Sequence, residues 1–230
     1  MLENIPKDIK TKAYVLRRTN LGEADRILNL ITPVGKISVM AKGVRKPKSK
    51  MAGGIEMFSL IEVNLHFGKS EMATLTGARM ITFYGEILKD LSRMELASEI
   101  LKKISVVSDA VDFAGHFEIV DECLFGLNDG CDIDLVEAWF LTRLAKAMGE
   151  QINLLTDADG DDLSLDAKYD FDVMEMSFCK NPEGVYDANA IKLLRLLWVA
   201  DLKTVRRVKD AKKYLPEILK IAKAVNKVVK

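Results

Sequence analysis

Apolar and polar residues alternate along the first third of the chain. In 36–41, Ile37, Val39 and Ala41 fall on one face, with Ser38, Met40 and Lys42 on the other. In 58–67, Ile61, Val63, Leu65 and Phe67 alternate with Glu62, Asn64 and His66. A period of two marks strands with one buried face. Segments 11–19, 26–32 and 72–79 complete a set of five predicted strands. Asn20-Leu21-Gly22, Pro33-Val34-Gly35 and Gly68-Lys69-Ser70 are turn signals between them. Gly22 and Gly35 read as turn residues. Five strands in about 70 residues, with no helix-length connection, predict a small antiparallel barrel, for which an OB-fold is the commonest candidate.

Near Ile81 the period changes to that of a helix. Ala97, Ile100, Leu101, Ile104 and Ser108 share one face, and 113–127 reads as a second helix. Asp132 or Asp134 can cap a third helix, with Ile133, Val136, Phe140, Leu144 and Ala147 inward and Gly149 at its end. Asp187 caps a helix through Ile191, Leu194, Leu197 and Trp198. Pro216 reads as the first residue of a final helix with Ile218, Ala222, Val225 and Val229 inward. Its outer face carries Lys220, Lys223, Lys227 and Lys230. The predicted class is α+β: an N-terminal five-stranded antiparallel OB-fold barrel over 1–80, then an all-helical domain over 81–230. An irregular, acidic excursion interrupts the latter at about 150–186.

Charge divides the chain in the same way. The 230 residues carry 34 basic and 34 acidic side chains. Residues 1–69 hold 13 basic and 6 acidic, a balance of +7. Residues 70–186 hold 9 and 24 (−15), and residues 187–230 hold 12 and 4 (+8). The zero total therefore hides a basic barrel, an acidic middle and a basic end, a pattern that points to a polyanion-binding part beside an acidic part. Apolar runs such as 196–200 are too short to span a bilayer, so no membrane association is expected. The first eight residues lack the apolar stretch of a signal peptide. Three cysteines with no pairing pattern fit a reducing cytosol, so the expected location is cytoplasmic.

No catalytic motif is complete in this sequence. Gly68-Lys69-Ser70 imitates the end of a phosphate-binding loop, but the glycine required at position 63 is Val63. Asp157-Ala158-Asp159-Gly160-Asp161-Asp162 resembles a calcium loop with its glycine misplaced and Lys168 where a bidentate Glu is needed. Cys123, Cys131 and Cys179 have no metal-ligand spacing. His66 reads as an outward strand residue. No nucleophile–base constellation is present, so no enzyme and no cofactor are expected.

The candidate chemistry is cationic. Arg17, Arg18, Arg26, Lys36, Lys42, Arg45, Lys46, Lys48 and Lys50 are the candidate nucleic-acid-binding residues, since Lys and Arg neutralise backbone phosphates and release counterions. Residues 43–54 read as a mobile basic loop between strands three and four, whose Arg45, Lys46, Lys48 and Lys50 reach phosphates most freely. Arg26 has Glu23 and Asp25 close enough in sequence for a local ion pair. The aromatic candidates for base stacking, Tyr14, Phe58, Phe67 and Phe83, read mostly as core, so phosphate contacts should dominate.

The order of residues carries a resemblance. Lys12–Arg18 leads into Leu21-Gly22-Glu23-Ala24-Asp25-Arg26-Ile27-Leu28, then Thr32-Pro33, Gly35-Lys36-Ile37, Ala41-Lys42-Gly43-Val44-Arg45-Lys46-Pro47-Lys48-Ser49 and Phe58-Ser59-Leu60-Ile61-Glu62-Val63. Over about residues 12–83 this string resembles the N-terminal half of the bacterial recombination mediators of the RecO family. The helical remainder is similar in layout only. The resemblance implies a non-enzymatic protein of DNA repair and homologous recombination that binds single- and double-stranded DNA and anneals strands. It further implies partnership with RecR and with single-stranded DNA-binding protein, and through them the loading of RecA. The acidic C-terminal tail of single-stranded DNA-binding protein would need a basic, partly apolar groove. Arg195, Lys203, Arg206, Arg207, Lys212 and Lys213 are the candidates for it. Many family members carry a four-cysteine zinc site in the excursion. Here 150–186 holds only Cys179 and many Asp, so no metal is expected, with polar packing and hydrogen bonds in its place.

Two other classes compete. One is a protein-only adaptor whose OB barrel docks peptides. The other is a hydrolase that binds divalent metal through the acidic 157–172 stretch.

Overall fold

Strand β1 (Asp8–Leu21) is long because it serves two neighbours. Its first half pairs antiparallel with β4 (Ser59–His66) and its second half with β2 (Asp25–Thr32). β2 continues into β3 (Gly35–Ala41), and β4 pairs with β5 (Ala73–Phe83). β3 and β5 meet in parallel at Val39–Ala73 and close the barrel in the order β1-β2-β3-β5-β4. That topology is the OB-fold, as the alternation pattern predicts. These elements come from a computed structural model that describes residues 7–68, 70, 72–111 and 115–228. Lys69, Phe113, Val229 and Lys230 lie outside the described residues, as does the side chain of Val228.

The inward set is the apolar one. Val15, Leu28, Leu30, Val39, Ile61, Val63, Leu65 and Leu75 fill the barrel, joined by Val44 and Ile55 from the β3–β4 connection. One irregularity matters for function. Val15 pairs with Leu30, but the next pair is Arg17 with Asn29, so Leu16 is an extra residue in β1. Such a bulge inverts the alternation beyond it. Arg17 therefore joins the outward face of Asn29, and Arg18 joins the inward face of Leu28.

The chain divides into two compact units, Met1–Asn128 and Asp129–Lys230. The first runs on past residue 80. A 3-10 turn at Gly85–Lys89 leads into α1 (Leu91–Ala110), capped by Asp90, and then α2 (His116–Asn128). α1 buries Ala97, Ile100, Leu101 and Ile104, the face expected from spacing. These helices cover one outer part of the barrel through Tyr14. Its hydroxyl donates to Asp121 on α2, lies 3.1 Å from the Tyr84 hydroxyl, and its ring tilts against Phe117.

The second unit holds α3 (Ile133–Ala147), a ribbon of β6 (Tyr169–Asp172) and β7 (Ser177–Lys180), α4 (Ala188–Val199), α5 (Leu202–Val205) and α6 (Ala211–Val228). The Asp132 side chain accepts from the amides of Asp134 and Leu135, and that of Asp187 from Asn189 and Ala190, as the capping signals predict. Arg143 and Trp139 reach carbonyls at the end of α4, where helix carbonyls lack internal partners.

Three features depart from the sequence-based expectation. α5 was not foreseen: four residues leave no periodicity to detect, and Asp201 caps it by accepting from the Thr204 amide. Pro216 is not the first residue of α6 but lies inside it, five positions after Ala211. Proline has no N–H to offer the Lys212 carbonyl. The apolar contacts of Leu215, Ile218 and Leu219 hold the helix there nonetheless. Finally, 150–186 is not irregular throughout. Phe178 is fully buried in the ribbon, with Tyr169, Phe171 and Tyr186 edge-on to it at centroid distances of 6.2, 5.1 and 5.8 Å. Such edge-to-face contacts are favourable arrangements of aromatic rings. Gly184 lets the following segment close on Tyr169, where a Cβ would lie 2.5 Å from the backbone.

Candidate nucleic-acid interface

The outer face of β1, β2 and β3 is built in rows, because cross-strand partners project to the same side. Arg17, Asn29 and Ser38 form one row, and Thr19, Ile27 and Met40 the next. Lys42 follows two residues after Met40 on the same side. Arg17, Thr19, Ser38 and Lys42 are exposed, whereas Ile27 and Met40 are half-buried. No aromatic residue stands in these rows, so this face meets a polyanion through charge and hydrogen bonds rather than base stacking. Of the aromatic candidates, Tyr14 and Phe58 are buried, Phe67 is half-buried against the core and Phe83 is exposed.

The basic loop continues from Lys42. It is anchored rather than free. The Gly43 amide donates to Asp25 Oδ1 at 2.6 Å, and the Arg45 amide to the Ala24 carbonyl at 2.9 Å. The Arg45 guanidinium donates to the Gly22 carbonyl at 2.9 Å. Gly22 (φ +54°) turns β1 into β2, and Val44 plugs the core. The loop is thus laid against the β1–β2 turn, with Arg45, Lys46, Lys48 and Lys50 exposed. The mobile loop expected from its composition is fixed at its near end by one buried valine and three hydrogen bonds.

Seven of the nine sequence-derived cations gather at this end of the barrel: Arg17, Arg26, Lys42, Arg45, Lys46, Lys48 and Lys50. Arg26 pairs with neither nearby carboxylate; its Nε donates to Asn20 Oδ1 at 3.0 Å. The other two are structural. Arg18, facing inward at the barrel rim, binds Glu56 at 3.0 Å and reaches the Ile55 carbonyl. Lys36 stands at the opposite end of β3. Its side chain is only 10% exposed and its Nζ binds Asp109 and the Ser105 carbonyl of α1, each at 2.7 Å. Position in the sequence marked both as basic, but not that a helix would return to cover one of them.

A second basic row was missed. Lys12 and Glu62 are paired in register across β1 and β4, and Glu62 with Arg79 across β5. Lys10 lies 2.9 Å from Glu62 and Arg79 3.4 Å. The hydrogen bond from Lys10, with Arg79 beside it, holds the Glu62 carboxyl below the usual carboxylate range. Only Glu62 of this row was visible, in the outward half of the β4 alternation; cross-strand register brings Lys12 and Arg79 to it, and its carboxylate offsets part of their charge.

The candidate partner residues lie in the second unit, and they divide. Arg195 donates through Nε to the Leu154 carbonyl at 2.7 Å, a structural bond. Arg206 pairs with Asp129 at 2.5 Å and Lys212 with Asp132 at 3.4 Å. Both line a groove of 430 Å³ with Leu135, Val208 and Leu215 on its apolar side and Asp210 at its edge. Lys203 and Arg207 are exposed, and Lys213 lies 5.2 Å from the centroid of the Tyr214 ring.

The acidic loop turns around one of its own carboxylates. Asp157 is buried, and its Oδ1 accepts from the amides of Asp159 and Asp161 at 3.1 and 3.0 Å, closing the loop on itself. Among the described residues no group of three or more His, Cys, Asp or Glu is placed to hold a metal ion. A four-thiolate zinc site does not fit the excursion either. It offers one thiol, Cys179, paired in register with Asp170, and its interior is filled by Phe178. Hydrogen bonds to Asp157 stand there as expected, and the packing beside them is aromatic where polar packing was expected. Among the described residues no helix is long and apolar enough to cross a membrane.

Comparison with known proteins is consistent along most of the chain. A family model described as recombination protein O N terminal matches residues 7–84. A DNA repair protein RecO from Dehalococcoides mccartyi is 30% identical over 221 residues, covering 93% of this chain and 87% of that protein. Its namesake from a second strain of that species is 45% identical over 93 residues, 40% of this chain and 36% of its own. The DNA repair protein RecO of a Roseiflexus species is 31% identical over 143 residues, 61% and 50% respectively. The last two alignments span less than two thirds of those relatives.

Proposed function

The chain belongs to the recombination protein O (RecO) family, and from that premise we propose that it is a DNA repair and recombination mediator that holds DNA on the barrel. It acts by binding and not by bond chemistry. One observation carries the reading. The bulge at Leu16 puts Arg17 on the same outer face as Lys42, and the Lys42–Lys50 cations run on from there along the β1–β2 turn. Strands two and three and the β1–β2 turn, against which the basic loop is laid, are the surface that OB-folds offer to oligonucleotides. Affinity is phosphate-driven and independent of sequence, as annealing requires. Single- and double-stranded DNA are both ligands, since both present phosphates.

Protein partners fall to the second unit. An acidic, partly apolar peptide, such as the tail of single-stranded DNA-binding protein, fits the groove between Leu135, Val208 and Leu215 with Arg206 and Lys212 at its rim. RecR, and RecA through loading on coated single strands, complete the proposed set, in the cytoplasm at the nucleoid.

The test is a salt series with a labelled single-stranded oligonucleotide. Six phosphate-contacting cations give a log–log slope of about −4. Neutralising Arg45, Lys46 and Lys48 together reduces that slope by about 2 for every sequence tried. No binding at about 50 mM salt, or a slope untouched by the triple change, overturns the proposal and favours the protein-only adaptor.

A further inference from the structure

The mediator reading leaves the strongest charge asymmetry of the second unit unused. α6 buries Leu215, Ile218, Leu219, Ile221, Ala222 and Val225. Its exposed positions include Lys213, Pro216, Lys220, Lys223 and Lys227, spaced three and four apart, so they form one stripe along the helix. Beside the four lysines of that stripe stands one carboxylate of α6, the half-buried Glu217. Residues 203–227 as a whole carry nine basic side chains against Asp210 and Glu217.

A solubilising surface is ordinarily mixed in sign. α3 in the same unit is an example, with Asp134, Glu137, Arg143 and Lys146. On α6 the four lysines of the stripe stand against the single carboxylate Glu217. Lys220 bonds Glu217 and Lys223 bonds Glu137, both at 2.8 Å; the carboxylates are half-buried but the lysines are open to solvent, where such pairs are worth about 1 kcal/mol or less. No carboxylate lies within ion-pair distance of Lys213 or Lys227 among the described residues. From Lys213 to Lys227 the helix rises about 21 Å, a length of duplex that carries about 12 phosphates. The buried apolar face leaves nothing of α6 to insert into a bilayer.

We propose that this stripe is a second nucleic-acid contact, so that one chain holds two strands, one on each unit. The inference rests on the mediator reading and deepens it. Annealing needs two strands held at once, and a protein with a site on each unit brings both to one molecule.

The experiment uses the full chain and two non-complementary oligonucleotides carrying a donor and an acceptor dye. Wild type is expected to bind two strands per chain and to give energy transfer. The variant K213Q/K220Q/K223Q/K227Q is expected to keep the first strand within about twofold, lose the second, and anneal complementary strands at least about tenfold more slowly. Its circular dichroism and melting should match wild type, and the corresponding four Lys→Arg changes should restore the second strand. Two strands per variant chain overturn the inference. So does a variant that keeps both strands and instead loses an acidic peptide or vesicles of anionic lipid. If wild type binds no strand at all, it is the mediator reading that fails. One strand per wild-type chain leaves that reading intact and removes only the second contact.

Discussion

The hydroxyl of Tyr14 on β1 donates to the carboxylate of Asp121 on α2, across 107 positions of sequence. Tyr84, entering the turn before α1, lies against the same hydroxyl. The cluster ties the first two helices to the barrel, so the compact unit that presents the cationic face includes them. Replacing Tyr14 by Phe leaves the ring packing on Phe117 and removes the donor. Chemical denaturation of Y14F should show a loss of about 1–3 kcal/mol. An unchanged midpoint would show that the bond contributes nothing to holding the helices.

The same cluster sets an alkaline limit. Burial pushes the Tyr14 hydroxyl far above its usual value, and the bond to Asp121 adds to this; burial raises Tyr84 as well. Tyr186, buried near Glu217, is pushed up to about 12. All three favour the neutral form when folded. Their contribution is complete below the unfolded tyrosine value of about 10 and is lost as pH rises beyond it. Absorbance at the tyrosinate band should therefore show fewer than the five tyrosines titrating near pH 10. The remainder should ionise together with unfolding. Five normal titrations with the fold intact would contradict the cluster.

Lys36 and Lys46 separate structure from binding. K36M removes a mostly covered charge from Asp109 and the Ser105 carbonyl, and should cost about 1–3 kcal/mol of stability with DNA affinity unchanged. K46Q should leave stability within about 0.5 kcal/mol and lower DNA affinity and its salt slope. Melting and oligonucleotide titration on the two purified variants decide this; exchanged outcomes would move the interface to the other end of β3.

The ribbon of β6 and β7 rests on Phe178. F178A should destabilise the second unit by about 3–5 kcal/mol, read by hydrogen exchange at residues 169–180. A chelator should not reproduce that loss in wild type, because the interior is aromatic and offers one thiol. A chelator-sensitive ribbon would point to a metal this donor set does not anticipate.

Much of this molecule follows from the sequence alone. Alternating Ile37, Val39, Ala41 and Ile61, Val63, Leu65 specify strands with one buried face, since a side-chain period of two allows nothing else. Asp132 and Asp187 specify helix starts, because a carboxylate at that position answers the unpaired amides that follow. The basic character of the barrel, and the lysines of the last helix, are also plain in the sequence. Which charges are presented is another matter. Arg17 and Arg18 are neighbours of the same type, and only the extra residue at Leu16 turns the first outward and the second toward Glu56. Lys36 alternates like Lys42 and differs from it only because α1 comes back over that end of β3. Register, bulges and the return of distant elements depend on pairings between residues far apart in the chain. Local periodicity carries no record of those pairings, so the cationic face was decided by tertiary structure.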